Sequence, residues 1–350
     1  MTGSSAWELR PASALAEVAP QWDTFNARIG GPPVLRSQFL IPLLDEFGSG
    51  AELLASCGEL EAPLALAIVA PRGFGSWVTF QPSQLPLGAW LTRSDMELAS
   101  LLESLSRRLP ALVLALGVTQ LDPCLVPRPV NGARVRTLDY IQTAWVDVQG
   151  TFEDYWAARG KNLRQNIRRQ RSKLQADGIT TTLETLRSPA EVPQAIADYG
   201  ALESAGWKAA GGTAIHPSNA QGRFYRAMLE KFCEDGTGRI YRYRFGEKVV
   251  AMDLCIEGAG MLVILKTAYD ESLKAFSPAS LMREHAFAGI FAEASIERIE
   301  FYGKLMEWHT RWTDNARTLY HANYYRWPML STAKDWADRL RAGQSLQTHG

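Results

Sequence analysis

The chain has 350 residues, 46% hydrophobic and 21% charged, and its 37 Lys+Arg balance its 37 Asp+Glu. This is ordinary for a folded chain of one large or two medium domains, and a net charge of zero gives no global pull toward nucleic acid or membrane. The four cysteines (Cys57, Cys124, Cys233, Cys255) are widely spaced with no CxxC, the opening MTGSSAWELRPAS lacks the basic start and apolar core of a secretion signal, and no apolar run reaches ~18 residues, so a zinc site, a disulfide framework, export and a membrane span are not expected and a cytoplasmic location is.

Residues 7–9 read as a first strand. Residues 13–29 read as a helix with Leu15, Val18, Trp22 and Phe25 at helical spacing, and Pro20 is placed to kink or split it. Gly30-Gly31-Pro32-Pro33 ends that element. A short helix at 37–46 follows, then two strands within 51–69 joined across 59–62, and a strand around 75–79. Residues 95–109 form a helix whose face is Leu98, Leu101, Leu102 and Leu105. Strands are expected at 111–116 and 144–147, with the proline-rich stretch 123–133 as a loop between them.

Thr151 with Asp154 resembles a capping box, with Asp in the usual Glu position. It opens a helix with Phe152, Trp156, Leu163, Ile167 and Leu174 as its apolar stripe, ended by Gly178. From Arg159 to Lys173 there are seven basic residues and no acid, and Lys161, Arg164, Arg168 and Arg171 share one arc. Like charges at this spacing repel by a few tenths of a kcal/mol per pair. The arc is either a solvated face neutralised by acids elsewhere or a phosphate-facing wall.

A strand at 179–186 leads to a capping box, Ser188 to Glu191, and a helix with Ile196, Tyr199 and Leu202. The loop after it contains Gly206-Trp207-Lys208 and Gly211-Gly212, where Trp207 is a core anchor or a substrate platform. A helix at 224–233 precedes three strand-like runs over 240–270, separated by the turn signals Gly246-Glu247 and Glu257-Gly258. Ser277-Pro278 then starts a long apolar helix. A strand at 296–302, closing strands within 317–327 and a helix at 333–341 complete the chain.

Meander, helix, strand is the central pattern of the GNAT acyltransferase fold. Four pieces occur in an order that resembles the CelD-like branch of that superfamily, related to the Fem-type peptidoglycan aminoacyltransferases. They are RGKNLRQNIRRQRSKLQADG (159–178), ESAGWKAAGGTAI (203–215), LKTAYDE followed by FSP (265–278), and the aromatic–basic run ending in Trp312. The family's Asp-Phe, Gly and Tyr-Lys positions hold Glu300-Phe301, Gly303 and Trp308-His309 here, so the usual lysine is missing from its place and Lys304 lies nearby out of register. The resemblance implies an α/β (α+β) chain of tandem GNAT-like domains, each a mixed, mostly antiparallel sheet flanked by helices. The boundaries read as 1–148, a basic connecting helix at 149–178, the acyltransferase domain at 179–330, and a C-terminal helix and tail at 331–350.

The implied reaction is direct transfer of an acyl group, acetyl above all, from acyl-CoA to an amine of an amino sugar or similar cell-envelope or exopolysaccharide precursor. One alternative is a Fem-type enzyme drawing its acyl group from aminoacyl-tRNA, which is the one reading that gives the chain a nucleic-acid partner. Another is a GNAT-fold binding or regulatory protein that has lost catalysis. No metal is expected.

A helix start after a strand presents unpaired N–H groups and a positive dipole end to the coenzyme's pyrophosphate. Lys266, Thr267, Lys274, Ser277, Ala279 and Ser280 are therefore the cofactor-binding candidates. The catalytic candidates are Asp253, a carboxylate in an apolar strand that needs a partner or a purpose, together with Tyr269 and Asp270 at the end of the next strand. Tyr269 is either a hydrogen-bonded packing residue or the group that protonates the departing thiolate. The substrate-binding candidates are Arg164, Arg168, Trp207, Lys208, Glu300, Trp308, His309 and Arg311.

Overall fold

The structure is a computed structural model that describes residues 6–204, 215–293, 295–330 and 332. Its strands are β1 (Trp7–Pro11), β2 (Leu53–Cys57), β3 (Ala65–Gly73), β4 (Ser76–Thr79), β5 (Trp90–Thr92), β6 (Ala115–Leu121), β7 (Val135–Asp147), β8 (Thr181–Leu186), β9 (Gly238–Phe245), β10 (Lys248–Gly258), β11 (Met261–Tyr269), β12 (Arg298–Glu300) and β13 (Ala316–Tyr325). Its helices are α1 (Ala19–Arg28), α2 (Ser37–Phe47), α3 (Leu98–Arg108), α4 (Phe152–Ala157), α5 (Lys161–Ala176), α6 (Val192–Ser204), α7 (Ala220–Glu234), α8 (Pro278–Ala292) and α9 (Glu307–Thr310).

Two compact units emerge. The first holds the described residues of 1–31, 48–141 and 318–350, and the second those of 32–47 and 142–317. In the first unit the strand order is β1-β2-β3-β4-β6-β13, with β5 beside β3, and the β4–β6 pair is parallel while the others are antiparallel. In the second it is β8-β9-β10-β11-β12-β7, and β11–β12 is the parallel pair. Both therefore share one plan: four antiparallel strands, a helix (α3 or α8), a parallel fifth strand and an antiparallel sixth.

The units differ from the linear boundaries expected above. Residues 32–47 and 142–178 fall in the second unit, and 318–330 fall in the first. Each unit takes its sixth strand from the far half of the chain. The end of β7 pairs Trp145 with Glu300, Val146 with Ile299 and Asp147 with Arg298. Strand β13 pairs Tyr324 with Leu116 and Asn323 with Gly117. The physical reason is which face each strand buries. Ala144 and Val146 join the core beneath β10–β12, while Tyr320, Ala322 and Tyr324 join the core with Trp7 and Leu102. Period-2 alternation fixes such placements strongly, because a one-residue slip would turn every side chain over.

Local chemistry explains the elements. Thr151 Oγ1 accepts the Asp154 N–H at 3.1 Å, as a cap should, and the Ser188–Glu191 capping box forms. The helix expected from 151 to 178 is instead two, α4 and α5, interrupted at 158–160 with Gly160 at the second N-cap. The helix expected over 13–29 is split as Pro20 suggested: a single-turn helix over Ala12–Ala16 precedes α1, and Pro20 lies in the first turn of α1. The β10–β11 turn falls on Ala259-Gly260, with φ of 51° and 71°, rather than on Glu257-Gly258. Two positive φ values suit a tight hairpin whose twist matches its strands. The helix expected at 333–341 lies outside the described residues.

Helix α2 packs on α7, with Phe39 fully buried edge-on to Phe224 at 5.3 Å. Phe39→Ala should cost about 3–5 kcal/mol, and amide hydrogen exchange should show the loss in α7 and β9. Loss of protection confined to β1–β3 would show that α2 belongs with the first sheet instead.

Candidate active site

Strand β11 pairs with β12 through Met261–Arg298, Leu262–Ile299 and Val263–Glu300 and no further. Beyond that point β11 continues to Tyr269, while β12 ends and the chain turns away through Phe301 and Tyr302, whose φ is +46°. The strands therefore splay, and a cavity of about 530 Å³ occupies the gap. Its walls are the splayed end of β11, the start of α8 and the 301–312 segment.

Adjacent residues of a strand face opposite sides of the sheet, and both sides meet the cavity. Lys266 points toward α6 and α7, with Nζ 4.0 Å from Glu203 Oε1 and 5.5 Å over the Tyr225 ring. Thr267 points toward α8: its hydroxyl donates to Asp253 and accepts from Arg283 Nη2 at 3.2 Å. Glu203 and Asp253 are buried, so one carboxylate stands behind each of these wall residues.

At the start of α8, Ser277 adopts the left-handed conformation, φ 55° and ψ 49°. Its carbonyl accepts the N–H groups of Ser280 and Leu281 at 3.0 and 3.1 Å, and its own N–H is bonded to Lys274. Among the described residues the Ala279 N–H makes no backbone hydrogen bond, so it is the donor left for a ligand. The Ser277 side chain does not cap the helix; its hydroxyl accepts from Asn166 Nδ2 of α5 at 3.1 Å.

Deeper in the wall, Arg283 is 4% exposed, with Nη2 3.8 Å from Asp253 Oδ2. Its guanidinium lies 4.4 Å from the Trp308 ring centroid, 5.8 Å from that of Trp312 and 5.9 Å from that of Phe301. Burial pulls the guanidinium below its ordinary pKa, with Asp253 opposing. Burial pushes the Asp253 carboxyl up against the contrary pull of Arg283 and Thr267. His309 stacks on Trp308 with centroids 3.6 Å apart. Its Nδ1 accepts the Met306 N–H at 2.9 Å, which leaves the proton of the neutral ring on Nε2. Burial, helped by the nearby Arg283 charge, lowers the His309 pKa to about 4.

The cavity wall thus gathers Lys266, Thr267, Tyr269 and Lys274 with Ser277, Ala279 and Ser280, and faces them with Trp308, His309 and Arg311. The remaining candidates lie elsewhere. Asp253 is behind Thr267 rather than in the wall. Asp270 caps the turn after β11: it accepts from Ser272 and pairs with Lys248 at 2.6 Å. Burial works to raise its pKa, but Lys248 and Ser272 hold it below the usual carboxylate range, which makes it a poor base. Glu300 is fully buried against Arg317 at 3.0 Å and Arg298 at 3.6 Å, so it braces β12 instead of reading substrate. Arg164 and Arg168 line a separate groove along α5. Trp207 and Lys208 lie outside the described residues. Arg283, Glu203 and Asn166 were missed. A charged Arg283-Glu284 pair inside an otherwise apolar helix was the available signal, since charge in such a run demands partners.

The first unit has the same kind of parallel pair with different contacts beside it. Beyond Val78–Gly117 the Gly88 N–H donates to Thr119 O at 3.1 Å, and a Cβ at Gly88 would stand 2.4 Å from that oxygen. Leu85, Leu87 and Ala89, in the same segment, are buried.

Residues 161–310 match the family model described as an acetyltransferase (GNAT) domain. No curated protein matches the chain. Among solved structures it is similar to FemX (9% identity, 88% of this chain and 96% of that one, TM-score 0.55). It is also similar to a conserved protein of unknown function from Bacteroides thetaiotaomicron (13%, 88% and 97%, 0.54) and to L-PGS from Bacillus licheniformis (14%, 88% and 91%, 0.52). At these identities the likeness establishes the fold alone. The chain carries an acetyltransferase domain of the GNAT superfamily over residues 161–310, and by that domain it is an acyltransferase.

Proposed function

We propose that this chain is an acyl-CoA-dependent N-acyltransferase that acts in the cytoplasm on an amino sugar or a similar cell-envelope or exopolysaccharide precursor. The cavity in the β11–β12 splay carries the reading, because it joins a helix start to residues from both faces of the sheet. The acceptor class rests on the CelD-like resemblance.

In this reading the coenzyme's pyrophosphate meets the Ala279 N–H and the positive end of α8, with Lys274 adding charge. The pantetheine arm follows the unpaired end of β11, and the acceptor amine enters from the other side of the splay. As the amine attacks the thioester carbon, its proton passes to Thr267 Oγ1 while the Thr267 proton moves to Asp253. The neutral His309 Nε2–H is a donor for the oxygen that becomes negative. Collapse of the tetrahedral intermediate breaks the C–S bond, and Tyr269 protonates the thiolate. Positioning two substrates in one dry cavity supplies the rest of the rate.

One observation favours a second reading, in which aminoacyl-tRNA is the donor. Lys161 and Arg168, both exposed on α5, have no ion-pair partner among the described residues, and Arg164 and Arg169 of the same helix are also exposed. Such a surface suits a phosphate backbone.

Calorimetry separates the two. Coenzyme A should bind the wild type and Ser280→Ala alike, while Ser280→Asp should bind about a hundredfold more weakly, because a carboxylate at close range opposes the phosphates. If coenzyme A does not bind, and tRNA binds with strong salt dependence, the second reading replaces the first. Asp253→Asn should lower kcat about a hundredfold, within the range for loss of a general base, with KM for the donor nearly unchanged; an unaltered kcat would remove Asp253 from the proton path. His309 is neutral at pH 7, so its protonation should leave no inflection in kcat near neutrality. Its lowered pKa favours the folded state only above the unfolded value of about 6.5. The wild type should therefore lose stability relative to His309→Gln as pH falls from about 6.5 toward about 4, by up to about 3 kcal/mol. Parallel pH–stability curves would show that the ring is not held neutral.

A further inference from the structure

The acyltransfer reading requires an uncharged thioester and a neutral amine, yet a buried cation forms part of the cavity wall. Arg283 is 4% exposed and lines the cavity. Among the described residues its Nε–H has no hydrogen-bond acceptor, and the hydrogen bond of its Nη2 goes to a hydroxyl, that of Thr267. Asp253 is its buried counter-ion but stands 3.8 Å away, outside hydrogen-bonding range. The other close neighbours are ring faces, Trp308 foremost. These attract a cation without accepting a directed N–H bond. A guanidinium taken out of water with its donors so poorly used is costly, and that cost is expected where a ligand supplies the missing acceptor.

The ligand's chemistry follows from the fork. A planar guanidinium matches a carboxylate, and because Asp253 already offsets the guanidinium charge, an incoming monoanion is opposed less than a phosphate dianion would be. Aromatic walls on the same side suit the short hydrocarbon that carries such a group.

We propose that Arg283 recognises a carboxylate borne by one of the two substrates and thereby sets specificity. The inference rests on the acyltransferase reading. The carboxylate has two possible sources: the far end of a dicarboxylic acyl group on coenzyme A, or the α-carboxylate of an amino-acid-like acceptor.

The experiment compares isosteric pairs on the wild-type chain. In one arm, calorimetry sets succinyl-CoA against its terminal amide, with coenzyme A as reference. In the other, acetyl transfer to alanine is set against transfer to alaninamide, monitored by thiol release. One arm should show a preference for the carboxylate of about 10- to 100-fold, the range for a charge-assisted hydrogen bond. Arg283→Gln should abolish that preference while leaving the affinity for coenzyme A within about twofold, and Arg283→Lys should restore part of it. Equal handling of both pairs by a wild type that binds coenzyme A overturns the inference and leaves the acyltransferase reading standing. Failure of coenzyme A to bind overturns that reading, and this inference with it. The wild-type comparison decides the matter even if neither variant folds.

Discussion

The parallel ladder between β11 and β12 ends at Val263–Glu300, and the site depends on where it ends. Had the ladder continued, the two strands would have closed over the space where ten of the sequence-derived candidates now meet. The termination has local causes. Buried Glu300, held by Arg317 and Arg298, fixes the last paired residue of β12. Tyr302 at positive φ then turns the chain away, and α9 brings Trp308 and His309 back across the gap. Charges this deep rarely add net stability compared with apolar residues, but removing one partner leaves the other exposed to the full desolvation cost. The Glu300 cluster is therefore best read as a device that fixes geometry.

The two units show how little separates a site from a core. Both have four antiparallel strands, a helix and a parallel fifth strand. In the first unit, Gly88 brings a backbone N–H against Thr119, and Leu85 and Leu87 on either side of that segment are buried. In the second, the gap beyond the parallel pair is left open and lined with polar groups. A shared strand plan thus carries different contacts beside its parallel pair, because function resides in the side chains and loops laid over it.

The basic helix divides along its length for similar reasons. Arg171 pairs with Glu284, Arg159 donates to the Trp312 carbonyl, and Lys173 sits over Phe276. Arg171 and Lys173 brace α5, and Arg159 the break before it, against the 276–312 segment. Lys161 and Arg168 are exposed and have no such neighbours among the described residues. The repulsion implicit in seven cations is relieved at one edge of the helix by tertiary partners, and it persists at the other.

Much was legible from local pattern. The meander, the Ser277-Pro278 helix start, the Thr151 and Ser188 caps and the Leu98–Leu105 face all follow from periodicity and turn chemistry, which act over a few residues. The candidates on the end of β11 and the start of α8 were also within reach, because a strand followed by a proline-led helix start lies in one contiguous stretch. What the sequence alone did not determine is every feature that depends on distant residues meeting. Asp270 and Glu300 look like free acids until Lys248 and Arg317 are seen beside them. Arg283 looks like a helix residue until Asp253, Thr267 and Trp308 converge on it from three other segments. The destinations of β7 and β13 follow from which core their apolar faces complete, and a sheet leaves that choice open until the strands assemble, since hydrogen-bonding edges are alike and only the buried faces distinguish them.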